Sequence, residues 1–572
     1  QTLAHQGNNI WHACHLADGD AIKEHVANHG RNVLLQRDPA GACSLHLLLL
    51  FNSDAHVELA RNLILDYPEV CVARYINSKL YEGENALHIA TVGNRVDVVK
   101  MLMERKPELA EDRAIGTFFH RGQICYYGEY PLSFASSVGS VAVATVLVDG
   151  GAPLLAQDSW GNTALHMAVI HDQFEMFKFL SERGGQDLLE KVNKDGFTAF
   201  TLAAAESSVE MFGQLLELRV DTLWCFGPVR CEVMSVDGLD VDVPKKSDGY
   251  KAGLRVIVEH NRSDLFELER LKALTNKKWD SYGRIFVRGS LLQYILELLF
   301  FSGFVLLPAS PAEASLPRMR SLIEACLVAL SVKRLVCTVA DSGARHRLGD
   351  MLQNMQYFVE HASELFVCVA MCVSAALQVA PPMIAEWRPV VLAAASLFAW
   401  MRMLRYLLIW SVTGPFVQMI KEMIVTDLFS FLSIFATFAI AMTTATYSMD
   451  AESDRSIVKH LRDSFSTILG GLDWDTVDAS KFPHVAGLMH IIFVIVTSVL
   501  LLNMLVAKMG HTFESIYEDA EKSWLLCRTQ ALIEIDDRCS SSELAPYEWS
   551  VVHNGRRCLQ TEAVSKPKRS EE

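Results

Sequence analysis

The sequence predicts a mainly α-helical chain in three parts: an N-terminal solenoid of short helical repeats, a small β-sheet linker, and six apolar helices with a re-entrant loop between the last two. Three observations carry this. Short helix starts recur through the first third at steps of 33 to 45 residues. A change to short β-like pieces follows at Leu223. From Leu291 onward, apolar runs of roughly the ~20 residues that a helix needs to cross a bilayer succeed one another.

Composition agrees with a soluble part joined to a membrane part. The chain has 572 residues, 51% of them hydrophobic, with a mean hydropathy of +0.19. A net charge of −15 argues against nucleic-acid binding, and no basic cluster offsets it. The thirteen cysteines are scattered without a CxxC pair, so reduced thiols are expected. Cys368 and Cys372 share one face of a span, where packing is the expected role. The chain opens at Gln1 without a signal peptide, which reads as a trimmed N-terminus.

The repeats begin with Ile10-Trp11-His12-Ala13, Ser44-Leu45-His46-Leu47, Ala86-Leu87-His88-Ile89, Pro131-Leu132-Ser133-Phe134, Ala164-Leu165-His166-Met167 and Ala199-Phe200-Thr201-Leu202. Their third column (His12, His46, His88, Ser133, His166, Thr201) steps by 34, 42, 45, 33 and 35 residues. Gly83, Gly128, Gly161 and Gly196 precede four of them, as turns before helix pairs require. This is the ankyrin pattern of about 33 residues per unit. The two long steps predict extended fingers around Leu65–Gly83 and Arg105–Tyr127. The histidines are expected to bridge neighbouring loops through hydrogen bonds, not to hold metal. About six stacked units over 1–222 leave a concave face that fits a cytosolic protein or a nucleotide ligand.

The linker, 223–288, reads as a hairpin. Leu223–Phe226 and Val229–Ser235 flank Gly227-Pro228, and a lone strand near 548–552 (Glu548–Val552) is expected to pair with them. Ala252–His260 and Ser263–Leu274 read as helices before the first span.

Six spans follow: Leu291–Leu307, Ser321–Ala340, Tyr357–Val379, Val390–Trp410, Leu428–Tyr447 and Val485–Val506. Lys and Arg concentrate on the side of the repeats, which places both termini in the cytosol. The domains are then 289–412 for a four-helix bundle, 413–427 for a linker, 428–510 for a pore domain, 511–535 for a charged helix and 536–572 for a tail. Arg402 and Arg405 lie three apart in the fourth span, the spacing of a voltage sensor; pairing with Glu324 or Glu364, or a place near the cytosolic boundary, is the plainer alternative.

Between the last two spans lies a segment too short to cross. A helix over His460–Leu469 ends in Gly470-Gly471-Leu472-Asp473-Trp474-Asp475. Non-helical backbone survives at membrane depth only where it lines water or is buried in protein. Span, re-entrant helix, glycine turn with acids, span is the plan of an ion-channel pore, and one hairpin encloses a pore only in a symmetric oligomer.

Several motifs now converge on one family. Lys278-Trp279, Tyr282-Gly283-Arg284, the run Met419–Ile424 with Asp427-Leu428, the sixth-span stretch Leu500–Gly510, and Trp524 with Arg528 resemble those of vanilloid-type transient receptor potential channels. The resemblance covers His12 to Trp549. It implies a homotetrameric channel passing Na+ and Ca2+, embedded in the lipid of the plasma membrane, without a cofactor. By position, Thr467, Ile468, Leu469, Gly470 and Gly471 would form the pore-helix end and selectivity filter. Val506 and Met509 would form the lower gate, with Asn503 one turn above. Trp524, Arg528 and Asp427 would couple a TRP helix to the gate.

Departures from the family pattern set further expectations. No acid occupies the filter itself, and Asp473 and Asp475 stand further out as mouth acids. Lys508 stands where relatives carry an apolar residue and is expected to point away from the pore. Leu408 replaces a polar residue of the vanilloid pocket. Potassium selectivity is not expected, since Thr-Val-Gly-Tyr-Gly is absent from the sequence. No nucleophile–base set, phosphate loop or HExxH motif suggests an enzyme. The competing function is a non-conducting, membrane-anchored ankyrin scaffold.

Overall fold

The computed structural model describes residues 9–76, 78–240, 251–306, 322–333, 366–377, 381–449, 456–468, 474–478, 480–539, 541–547 and 549–564. The chain divides into two compact units, one of Gln1–Lys277 with Asp536–Glu572 and one of Lys278–Ile535.

In the first unit, six helix pairs follow one another. They are α1 (Ile10–Leu16) with α2 (Gly19–His29), α3 (Ser44–Phe51) with α4 (Asp54–Asp66), α5 (Ala86–Val92) with α6 (Val96–Arg105), α7 (Pro131–Val138) with α8 (Val141–Asp149), α9 (Ala164–Ile170) with α10 (Phe174–Leu189), and α11 (Ala199–Glu206) with α12 (Val209–Glu217). Every inner helix begins where the sequence motif begins, and in three of them the side chain of the preceding residue caps it; α7 opens instead on Pro131. Asn9 accepts from the His12 amide, Asn85 from the Leu87 and His88 amides, and Thr198 from the Thr201 amide. Ser53, Ser140 and Ser208 do the same for outer helices α4, α8 and α12.

Three of the four column histidines join the repeats, as expected, whereas the Nδ1 of His12 is buried without a hydrogen-bond partner among the described residues. The Nε2 atoms of His46, His88 and His166 lie 3.0, 3.1 and 3.0 Å from the carbonyl oxygens of Ala73, Glu129 and Phe197, each in the loop before the next repeat. Their Nδ1 atoms accept from the backbone amides of Cys43, Asn85 and Thr163. Each ring is therefore a neutral Nε2–H tautomer. Burial lowers the His46 pKa to about 3 and those of His88 and His166 to about 4.

The two fingers support one another. The amides of Ile115, Thr117 and Phe118 donate to Glu82, Lys79 and Leu80 carbonyls at 2.8, 3.0 and 3.1 Å. Tyr81 and Tyr127 pack with the buried Ala114, Phe119 and Phe134 beneath them. Gly83 is required here: its φ is +82°, and a Cβ would strike the Arg113 carbonyl.

The hairpin is present as β1 (Val220–Phe226) and β2 (Val229–Ser235), turning at Gly227 with φ +58°. Its C-terminal partner differs from expectation. Instead of one strand over Glu548–Val552, a second hairpin forms from β3 (Val551–His553) and β4 (Arg556–Val564), and the sheet order is β1-β2-β4-β3. The strand pairing with β2 is thus β4, in antiparallel register from Val229↔Val564 to Ser235↔Cys558. Ahead of the first span, α13 (Gly253–Glu259) forms as expected, whereas the second helix splits into a 3-10 turn at Ser263–Glu267 and a helix from Glu269.

Among the described residues, four helices are long and apolar enough to cross a membrane: Glu269–Leu306, Met383–Leu408, Phe431–Met449 and Pro483–Tyr517. They match the first, fourth, fifth and sixth expected spans. The second and third are described only as shorter helices, 322–333 and Phe366–Leu377, and the rest of each lies outside the described residues. Tyr294, Leu298, Phe301, Phe304, Leu327, Met371, Leu392 and Ala395 form a common core among the first four, and the Tyr294 hydroxyl donates to the Ala399 carbonyl at 2.6 Å. The charged helix expected over 511–535 is not separate: Leu502–Arg538 runs uninterrupted.

Because the unfolded chain takes up protons near pH 6.5 that buried His46, His88 and His166 refuse until about pH 3 to 4, acid destabilises the repeats progressively from about pH 6.5 to 4. Glu84, whose carboxyl burial raises to about 8, works oppositely: its contribution is full below about 4.5 and is lost as pH rises through 8. His88→Ala should cost about 1–3 kcal/mol at pH 7, and the gap from wild type should shrink by pH 5. Amide hydrogen exchange in α5 and α7 reads both.

Candidate pore and coupling site

The re-entrant segment is a helix, Ile457–Ile468, three residues earlier at its start than expected. It packs on the helix Phe429–Met449. Thr443 Oγ1 donates to Ser464 Oγ at 3.3 Å, Phe465 meets the Phe435 ring edge-on at 6.1 Å, and His460 meets Tyr447 at 5.7 Å. Phe493 of the following helix joins Phe435, Ala439 and Met442 in one buried cluster. A short helix, Trp474–Asp478, returns the chain, and Val477 is buried beside Gly487.

Of the expected filter residues, Thr467 is buried and its hydroxyl donates to the Asp463 carbonyl at 2.8 Å. Ile468 ends the helix. Leu469, Gly470, Gly471 and Asp473 lie outside the described residues, and of Asp475 only the backbone, in the short helix, is described. Asn503, Val506 and Met509 lie on the long helix Leu502–Arg538, with Val506 63% exposed on the single chain.

Lys508, on that same helix, turns to the protein. Its Nζ sits 3.4 Å from Oδ1 of the buried Asp427, which lies in a π-turn over Ile424–Leu428. Asp427, expected as a coupling residue, is thus brought to the helix that carries Asn503, Val506 and Met509.

Further along, Trp524 is buried and its indole N–H donates to the Ile409 carbonyl at 3.2 Å. Arg528 is also buried, with its guanidinium carbon 4.4 Å from the Trp279 ring centre and 5.3 Å from that of Trp524. Desolvation lowers its pKa to about 10, against the pull of Asp280, so it stays cationic at neutral pH. Trp279 opens a π-turn, Trp279–Gly283, and a Cβ at Gly283 would meet Leu532 at 2.5 Å. The Lys-Trp and Tyr-Gly-Arg motifs of the sequence therefore meet the Trp524–Arg528 motif in space.

Among the described residues, the arginines of the fourth span meet partners besides the expected Glu324. Arg405 pairs with Glu534 at 2.9 Å, and Arg402 stacks over Tyr294 at 5.3 Å. Glu324 instead takes a two-oxygen bond from Arg388 at 2.7 and 2.8 Å; Glu364 lies outside the described residues. Sequence reasoning missed Glu534 and Gly414. Gly414 is where the Trp524 indole comes closest to the backbone, and a Cβ there would overlap both it and the Leu408 carbonyl. Its only signal in the sequence is Gly-Pro at a helix start.

A family model described as the C-terminal part of YVC1-like calcium channels matches residues 362–547, and one for ankyrin repeats matches 110–191 and 132–223. Curated relatives align over most of the chain. Transient receptor potential cation channel subfamily V member 6 of Rattus norvegicus is 26% identical over 537 residues, covering 86% of this chain and 68% of the relative. The Homo sapiens member 6 is 27% identical over 543 residues, with the same coverage of 86% and 68%. Subfamily V member 2 of Mus musculus is 26% identical over 575 residues, covering 88% and 73%. With the apolar helices, these likenesses indicate an integral membrane protein. The chain is a relative of the vanilloid-type transient receptor potential channels, resembling them from its repeats to its last long helix.

Proposed function

We propose that the protein is a calcium-permeable, non-selective cation channel that works as a homotetramer in the plasma membrane, with both termini cytosolic. One observation carries this reading: a helix too short to span, Ile457–Ile468, is folded between two apolar helices and runs toward Gly470-Gly471. The channel names of the relatives support it.

In this reading, carbonyls of Ile468–Gly471 replace part of an ion's water shell, behind the pore-helix end at Thr467. Asp473 and Asp475 raise the cation concentration at the mouth. Val506 and Met509 close the lower gate as an apolar constriction, one turn below Asn503. Lys508 is kept from the ion path by Asp427. Trp524 and Arg528, seated against the corner after the fourth span, transmit movement of the linker and repeats to the gate. Arg405 belongs to that path through Glu534. Arg402 and Arg405 are two charges, each worth about 2.3 kcal/mol per 100 mV if moved across the whole field, so voltage is a modest bias on gating. The ankyrin face serves a cytosolic protein or nucleotide.

Whole-cell current with sodium, calcium or a large organic cation as sole external cation tests the pore. Gly471→Asp should change the permeability ratios or abolish current; a current untouched by it would refute the filter assignment. Neutralising both mouth acids, D473N/D475N, should lower single-channel conductance about twofold at low salt and much less at 1 M, where the screening length is ~3 Å. Lys508→Met should destabilise the protein and shift its activation midpoint, since it strands a buried carboxylate. The double change D427N/K508M should restore stability, with a coupling on the order of 1 kcal/mol in a thermal-melt cycle because Lys508 is half exposed.

A further inference from the structure

The tip of the second finger folds back onto repeats much later in the chain. Arg121, in the turn before Gly122 (φ +90°), donates from one terminal nitrogen to Asp195 at 2.6 Å and from the other to Glu206 at 2.6 Å. Its guanidinium carbon also lies 5.9 Å from the Trp160 ring centre. Asp195 stands in the loop before α11, Glu206 ends α11, and Trp160 stands in the loop before α9. Three turns of the solenoid surface thus converge on one planar cation. Two carboxylates that split a guanidinium fork, beside an aromatic face, suit arginine and suit lysine poorly, because an ammonium is a point charge without the fork. Lys194, next to Asp195, is turned away to the Ser159 carbonyl at 2.7 Å.

The site remains open to exchange. The Asp195 and Glu206 side chains are 45% and 36% exposed, and Trp160 is 42% exposed. The C-terminal leg of the finger has its own anchor: the Tyr126 hydroxyl donates to Asp158 at 2.5 Å and accepts from Asn162 at 2.7 Å. The tip can therefore leave without unravelling the finger. It carries Ile124 almost fully in solvent, an apolar contact beside the cation site.

We propose that Asp195, Glu206 and the Trp160 ring form an arginine-recognition pocket for a segment of a partner protein, occupied in the free chain by its own Arg121 as a competing self-ligand. The tethered Arg121 acts at an effective concentration on the order of mM, so a partner arginine wins only with additional contacts beside it. The surface is independent of the pore reading and is tested without current.

Anisotropy of a fluorescein-labelled, Gly/Ser-based nonapeptide with three arginines, and of its lysine counterpart, is measured on the full chain in nanodiscs. Arg121→Ala and Arg121→Gln should each bind the arginine peptide at least about tenfold tighter than wild type and gain less than about threefold for the lysine peptide. Adding D195N/E206Q to R121A should abolish the gain. Hydrogen exchange should rise at the finger tip and stay constant in α9 and α11, which shows the variants folded. Equal arginine-peptide affinity for wild type and both Arg121 variants would overturn the proposal. So would equal gains for the arginine and lysine peptides, since bulk attraction to an acidic chain predicts that result.

Discussion

The membrane unit depends on the corner after the fourth span, where a helix end must satisfy its carbonyls away from water. The last carbonyls of any helix lack partners within it, and in hydrocarbon each unmet group costs several kcal/mol. Here three different donors meet three carbonyls. Thr413 Oγ1 donates to Leu407 at 2.5 Å, the Gly414 amide to Trp410 at 2.7 Å, and the Trp524 indole to Ile409 at 3.2 Å. The third donor comes from 115 residues away. It reaches because residue 414 has no side chain. One glycine and one indole therefore fix the long C-terminal helix against the linker that begins at Gly414.

The repeats meet the same requirement at four junctions with side-chain donors of their own. His46, His88 and His166 give their Nε2–H to a carbonyl of the following repeat. In the repeat whose column residue is Ser133, the neighbouring Ser136 hydroxyl does this, donating to the Ala164 carbonyl at 2.6 Å. The chemistry demanded is a buried donor at that depth, and histidine is one way to supply it. A charged imidazole would fail, because its Nδ1 would face a backbone amide with a second proton.

Features with local causes were legible in the sequence. Six inner helices start at their motifs because capping is decided within three residues. The β1–β2 hairpin was legible because a Gly-Pro turn separates two β-rich runs. Strand β4 was not: Arg556-Arg557-Cys558-Leu559-Gln560-Thr561-Glu562 buries Cys558 and Leu559 side by side, which breaks the alternation that marks a strand. The pore-side helix was legible from its length and its glycine end. Its coupling partners were legible only in part. Trp524 and Asp427 stood out by resemblance, whereas the Arg405–Glu534 pair spans 129 residues and Glu534 belongs to no motif. The domain boundary drawn at 510/511 is not a break in the helix, because a glycine such as Gly510 costs a helix only about 1 kcal/mol.

That continuity has a mechanical consequence. From Lys508 to Glu534 the helix is held at three places: by an ion pair to Asp427, by the aromatic seat of Trp524 and Arg528, and by an ion pair to Arg405. Their strengths are unequal. Lys508 is 53% exposed, so its bond to Asp427 is worth about 1 kcal/mol or less in water. The seat buries Trp524 and Arg528 almost completely, and an aromatic side chain removed from such a seat costs about 3–5 kcal/mol. Under load the weaker tie yields first. In the channel reading proposed above, the helix would then move about Trp524 as a pivot while its Lys508 end swings free of Asp427, and a displacement of the linker would reach Val506 and Met509 without any unfolding between them.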